Sequence, residues 1–64
     1  MNKKEFKQAV KKATSVWAWV VTFQHDGMYL EVKKGSTLAS MAGMPRDIEI
    51  QAYVRESDGD LYIN

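Results

Sequence analysis

The chain has no cysteine, one histidine, one proline and four glycines in 64 residues. Without cysteine there is no disulfide framework, and a lone His25 argues against a structural zinc site. The opening Met1-Asn2-Lys3-Lys4-Glu5-Phe6 lacks the apolar run of a signal peptide. The longest apolar run, Val16 to Val21, is far short of the roughly 20 residues that a spanning helix needs. A cytoplasmic protein is the plain expectation. The glycines stand singly at 27, 35, 43 and 59, each where an element ends or turns, so none builds a phosphate-cradling loop.

Catalytic groupings are equally scarce. Asp26, Asp58 and Asp60 are turn residues before they are acids or ligands, and Asp58-Gly59-Asp60 lacks the remaining ligands of a calcium loop. Ser36, Thr37 and Ser40 read as helix-capping hydroxyls with no base beside them in the sequence to activate them. We expect no cofactor, no metal and no enzymatic activity.

Charge is low overall, +1, but unevenly placed. Lys3, Lys4, Lys7, Lys11 and Lys12 face a single acid, Glu5, in the first twelve residues. The remainder carries Lys33, Lys34, Arg46 and Arg55 against seven acids. A basic segment on an acidic body can steer the protein toward an anionic partner, although a charged outer face is also what any surface helix needs for solubility.

Sixty-four residues make one domain, 1–64, of modest stability, because a chain this short buries only about 60% of its unfolded surface. Residues 3–13 form an amphipathic helix: Phe6, Ala9, Val10 and Ala13 fall on one stripe, with Asn2 as N-cap. Residues 16–24 form a strand on aromatic and β-branched content. The pairs Asp26-Gly27 and Asp58-Gly59 each sit between apolar runs and favour the tight turns that close β-hairpins. A turn at Asp26-Gly27 pairs His25 with Met28, Phe23 with Leu30 and Val21 with Val32. A turn at Asp58-Gly59 pairs Val54 with Ile63 and Arg55 with Tyr62. Between the hairpins, 36–43 reads as a short helix stopped by Gly43 and Pro45, and 47–56 as the third strand.

The expected fold is α+β, α-β-β-α-β-β: a four-stranded, mainly antiparallel sheet of two hairpins, with helices packed on one face. Its expected core takes Phe6 and Val10 from the first helix, and Trp17, Trp19, Val21 and Phe23 from the first strand. Met28, Leu30, Val32, Leu38 and Met41 follow, then Ile48, Ile50, Val54, Leu61 and Ile63. Burial of the tryptophans makes Trp19→Ala a loss of about 3–5 kcal/mol.

That register leaves a second face holding every tyrosine: Tyr29, Tyr53 and Tyr62, with Arg55, Lys33, Glu31 and Gln51, and with Val16, Ala18 and Val20. Tyrosine combines large contact area with a polar tip, and Arg and Tyr dominate interface energetics. An exposed cross-strand Tyr is also an ordinary structural pair. The leading expectation is a small non-enzymatic protein-binding module, an adaptor or inhibitor that occupies a surface of a larger protein through Tyr29, Tyr53, Tyr62, Arg55 and Lys33. Stand-alone modules of this size are frequent among phage and mobile-element proteins, which is an analogy and no more. The alternatives are a nucleic-acid binder working through the five lysines and a homodimer formed through an edge strand or through Val16, Ala18 and Val20. The four-stranded RNA-binding sheet has another element order and an aromatic signature absent here, and the GXXG loop of KH domains is missing. With an acidic body behind the lysines, no specific DNA or RNA binding is expected at physiological salt.

Overall fold

A computed structural model describes residues 1–64. The elements run α1 (Lys3–Lys12), β1 (Val16–Thr22), β2 (His25–Val32), α2 (Lys34–Met41), β3 (Ala52–Val54) and β4 (Leu61–Ile63). The four strands form one sheet in the order β2-β1-β4-β3. Each hairpin is antiparallel, but β1 and β4 join them in parallel, so the α+β fold carries a mixed sheet where a mainly antiparallel one is expected.

Local chemistry accounts for α1. The Asn2 side chain accepts from the Glu5 amide at 2.8 Å, and Glu5 accepts from the Asn2 amide at 3.1 Å, a reciprocal cap. Lys11 and Lys12 occupy the last turn, where cations complement the helix dipole. Helix α2 starts two residues earlier than its hydroxyls suggest. Lys33 is the N-cap without a side-chain bond, and Thr37 lies inside the helix, donating its hydroxyl back to the Lys33 carbonyl at 3.0 Å. Past the other end, the Lys3 ammonium donates to the Met44 carbonyl in the following loop at 2.8 Å and to the carbonyl of the C-cap Ala42 at 3.4 Å, tying α1 to the end of α2.

The first hairpin departs from its expected register. Its turn is at Phe23-Gln24, and Asp26-Gly27 lies within β2, where the pairing slips between Val20 and Thr22. Val16 therefore faces Val32, Ala18 faces Leu30, and Trp19 faces Tyr29. Phe23 does not pair with Leu30; it sits in the turn, fully exposed. Relative to β2, β1 is shifted by an odd number of residues, and an odd shift moves every side chain of a strand to the opposite face. Trp17 and Trp19 leave the core for the tyrosine side, and Val16, Ala18 and Val20 turn toward the helices, Val16 alone of the three being fully buried.

The second hairpin is shifted by two. Val54 pairs with Leu61 and Tyr53 with Tyr62, not Val54 with Ile63 or Arg55 with Tyr62. The loop is longer: the Arg55 amide donates to the Asp60 carbonyl at 2.9 Å, and the Gly59 amide to the Arg55 carbonyl at 2.8 Å. Gly59 is left-handed at φ +73°, the conformation in which glycine is least strained. An even shift keeps Val54, Leu61 and Ile63 on one face. Strand β3 spans three residues, not the ten expected, because β4 offers a partner only that long. Ile50 pairs instead with Met1, its amide donating to the Met1 carbonyl at 2.7 Å and its carbonyl accepting from the terminal amine at 2.8 Å.

The core gathers Phe6, Val10 and Ala13 beside Val16, Met41, Ile50 and Leu61. Val32, Leu38, Ile48 and Ile63 pack against it only partly buried. The helices cover the sheet incompletely: Met28, Leu30 and Val54, expected inside, stay exposed, as do Trp19 at 48% and Val21 at 64%. Self-association through Val16 is not available, since that side chain is fully buried.

These placements reverse the expected cost of losing Trp19. Leu61→Ala should destabilise by about 2–5 kcal/mol, the usual range for emptying a buried aliphatic site. Trp19→Ala should cost about 1–2 kcal/mol, from partial burial and one aromatic pair. Urea melts of the two variants check the ranking. A larger loss for Trp19 would return it to the core.

Candidate functional site: an aromatic sheet face

Register alone builds this face. In the two pairings of β1 with its neighbours, Trp17 stands opposite Glu31 on one side and Tyr62 on the other, while Trp19 stands opposite Tyr29. Tyr53 faces Tyr62 across the β3–β4 ladder. Five aromatic rings therefore share the side of the sheet turned away from the helices.

They touch one another with Tyr62 as the hub, itself only 6% exposed. Tyr53 stacks on it at a centroid distance of 5.4 Å and an angle of 16°, and Trp17 lies nearly parallel at 6.4 Å. Tyr29 extends across β1 to meet Tyr62 edge-on at 5.0 Å, and Trp19 meets Tyr29 at 5.1 Å and 69°. Edge-to-face and offset stacks are the arrangements that the ring quadrupole favours. The Arg55 guanidinium sits 4.1 Å from the Tyr62 centroid, a cation–π contact.

Polar tips are held from the rim. The Trp17 indole N–H donates to Asp60 Oδ2 at 2.9 Å, while Asp60 Oδ1 accepts from the Ser15 amide at 3.1 Å. The Tyr62 hydroxyl donates to Asp58 Oδ2 at 3.0 Å, and the Tyr29 hydroxyl to Asn64 Oδ1 at 2.6 Å. Asp58 also lies 3.7 Å from Arg55. The Asp58 carboxyl is held below the usual aspartate range, first by the Asp60 amide at 3.0 Å, then by the Tyr62 hydroxyl and Arg55. Desolvation pushes the Tyr62 and Tyr29 hydroxyls upward, aided by Asp58 for Tyr62 and by Tyr53 for Tyr29. Arg55 is raised, chiefly by Tyr53.

Glycine 27 serves this face through close approach. A Cβ there would fall on the Trp19 indole, 2.6 Å from Cε2 and 2.9 Å from Cη2, so the ring can lie down only over a bare backbone. The Asp-Gly pair marks a site of ring packing, not the hairpin turn.

Of the expected site residues, Tyr29, Tyr53, Tyr62 and Arg55 are brought together. Lys33 stands apart as the exposed N-cap of α2. The lysines belong to the opposite layer, and Lys3 is tied to the end of α2. Lys4 and Lys7 border an open crevice with Arg46 and Asp47, and Lys12 lies on another flank near Gly59. Lys11 is on the same helix, its carbonyl accepting from the Lys34 ammonium at 3.4 Å. Sequence reasoning missed Trp17 and Trp19 as members of the face. The available signal was the indole N–H of each, a donor that a purely apolar core leaves unpaired. No group of three or more His, Cys, Asp or Glu side chains is placed to hold a metal ion.

Two outcomes follow. Gly27→Ala should lift Trp19 off the strand, shifting tryptophan emission to the red and costing about 1–3 kcal/mol, the range for overpacking. Unchanged emission would mean that the ring does not rest there. The pH dependence has two limbs. Asp58, lowered in the fold, contributes fully above about pH 4, and its contribution is lost as pH falls through the folded value. Tyr62, raised, contributes below about pH 10 and loses its contribution as pH climbs through the folded value. Thermal melts across pH should show Asp58→Asn flattening the acid limb and reducing the alkaline one only in part, because desolvation is the larger cause of the Tyr62 shift. Superimposable acid limbs would refute the assignment for Asp58.

No protein-family model, curated protein or solved structure matches this chain.

Proposed function

We propose that this chain is a small non-enzymatic protein-binding module of the cytoplasm, an adaptor or inhibitor that acts by covering a surface of a larger protein. The observation that carries the reading is the contiguous field of five rings and Arg55 on the uncovered side of the sheet. Tyr, Trp and Arg are the residue types enriched where interface energy concentrates. Their mutual stacking also reduces the rotamer freedom still to be lost on binding, which favours affinity. A standard interface takes about 800 Å² from each partner, roughly a sixth of this molecule's 4771 Å². On the sheet face Trp19 and Tyr53, 48% and 42% exposed, offer ring surface to such a contact without opening the core.

The test is a panel of Trp19→Ala, Tyr53→Ala and Arg55→Ala, each compared with the parent for melting temperature and for capture of partners from a native lysate. Capture should weaken by about 1–3 kcal/mol at the best positions, and stability by less than that at Tyr53 and Arg55. Tyr62 is left intact because its ring anchors the others. A parallel set reversing Lys4, Lys7 and Lys11 should capture normally. If those reversals abolish capture, and nuclease does too, the protein works through nucleic acid and the helix. If the only species captured is the chain itself, it is a homodimer.

A further inference from the structure

We infer that the partner presents a cationic segment to the aromatic face, with an arginine side chain seated against Trp19 and Tyr29 beside Glu31. This rests on the protein-binding reading above and adds the chemistry of what is bound. The face carries three carboxylates, Glu31, Asp58 and Asp60, against one cation, Arg55. The lysine helix lies on the opposite layer, so the molecule is polarised across its thickness. A basic partner is attracted to the rings and repelled from the helices, and a polyanion the reverse.

The structure itself contains a seat of the required kind. Arg55 places its guanidinium 4.1 Å from the Tyr62 centroid, with the Asp58 carboxylate 3.7 Å away. A π-face flanked by a carboxylate suits a planar, weakly hydrated guanidinium better than a compact ammonium. At the other end of the same aromatic field, Trp19 and Tyr29 form a second such surface, and Glu31 stands next but one to Tyr29 on β2, opposite Trp17. No cation is ion-paired at that second seat: Glu31 is exposed and in no salt bridge, although Lys33 and Lys34 line the same open crevice. Trp19 remains 48% exposed, leaving ring surface for an incoming side chain.

Both tryptophans of the chain lie on this face, so intrinsic fluorescence reports its occupancy directly. The full chain is titrated with a capped ten-residue peptide of alternating Arg and Leu, with its Glu-for-Arg counterpart, and with a twelve-residue oligothymidylate. We expect the arginine peptide to change tryptophan emission saturably, and the other two to leave it unaltered. Glu31→Lys should weaken that binding at least tenfold with the melting temperature unchanged, and added salt should weaken it further. The inference is overturned if the acidic peptide or the oligonucleotide binds as well as the arginine peptide, or if Glu31→Lys binds normally. A partner whose capture is lost in Trp19→Ala and Tyr53→Ala but kept in Glu31→Lys would leave the protein-binding reading standing and remove the cationic one. Capture that survives all three substitutions would remove both. Dimerisation that blocks the peptide would identify a second copy as occupant and likewise overturn the inference.

Discussion

Three residue pairs between β1 and β4, Val16 with Leu61, Trp17 with Tyr62 and Ala18 with Ile63, hold the two hairpins in one sheet. Both faces depend on that short parallel ladder. On the helix side it places the fully buried Val16 and Leu61 side by side at the centre of the core. On the other side it lays Trp17 along Tyr62 and so joins the aromatic residues of one hairpin to those of the other. A slip of one residue would exchange the two sets, putting indoles under the helices and valines in water. Every residue of the ladder thus has a preferred face, which specifies a register that three pairs alone would hold weakly.

The second hairpin's loop reinforces the same alignment. Asp60 receives the Ser15 amide just before β1 and the Trp17 indole within it, while the Leu61 amide donates to the Ser15 carbonyl at 3.0 Å. One carboxylate therefore fixes both the strand junction and the orientation of a ring. Asp58, one residue before left-handed Gly59, bonds the Asp60 amide and the Tyr62 hydroxyl in turn. The loop chemistry that closes the hairpin also sets the geometry of the face, so folding and site formation are one event there.

How far the sequence discloses this differs between the two hairpins. Helix α1 is legible because its cap and its 3.6-residue periodicity agree. The faces of β3 and β4 are legible because alternation between apolar and polar residues is clean, so an error of two in the turn moved no side chain across the sheet. In β1 the alternation fails: Val16, Ala18 and Val20 compete with Trp17, Trp19 and Val21, and both faces read as apolar. Asp26-Gly27 then decided the reading by local propensity, and its answer was wrong by an odd number. Size is the argument that opposes it. The covered face of β1 holds small side chains under two short helices, where indoles in their place would have to displace packed neighbours. The three tyrosines were legible as a group. Their rings could be joined into one surface only once β1 was assigned its proper side.

The aromatic face also explains how so small a chain leaves much apolar surface outside its core. Five of the sheet's aromatic rings lie where no helix covers them, yet the rings shield one another, and the polar tips of Tyr62, Trp17 and Tyr29 end on Asp58, Asp60 and Asn64. A surface of this kind behaves as a second, thinner core: ordered and internally bonded, but open on one side. A hydrophobic patch without such bonds would favour collapse or aggregation. Here the carboxylates at its rim hold water against it, and their sign is opposite to that of the helix layer. The same residues that make the exposed rings tolerable in water therefore also set the charge of the face.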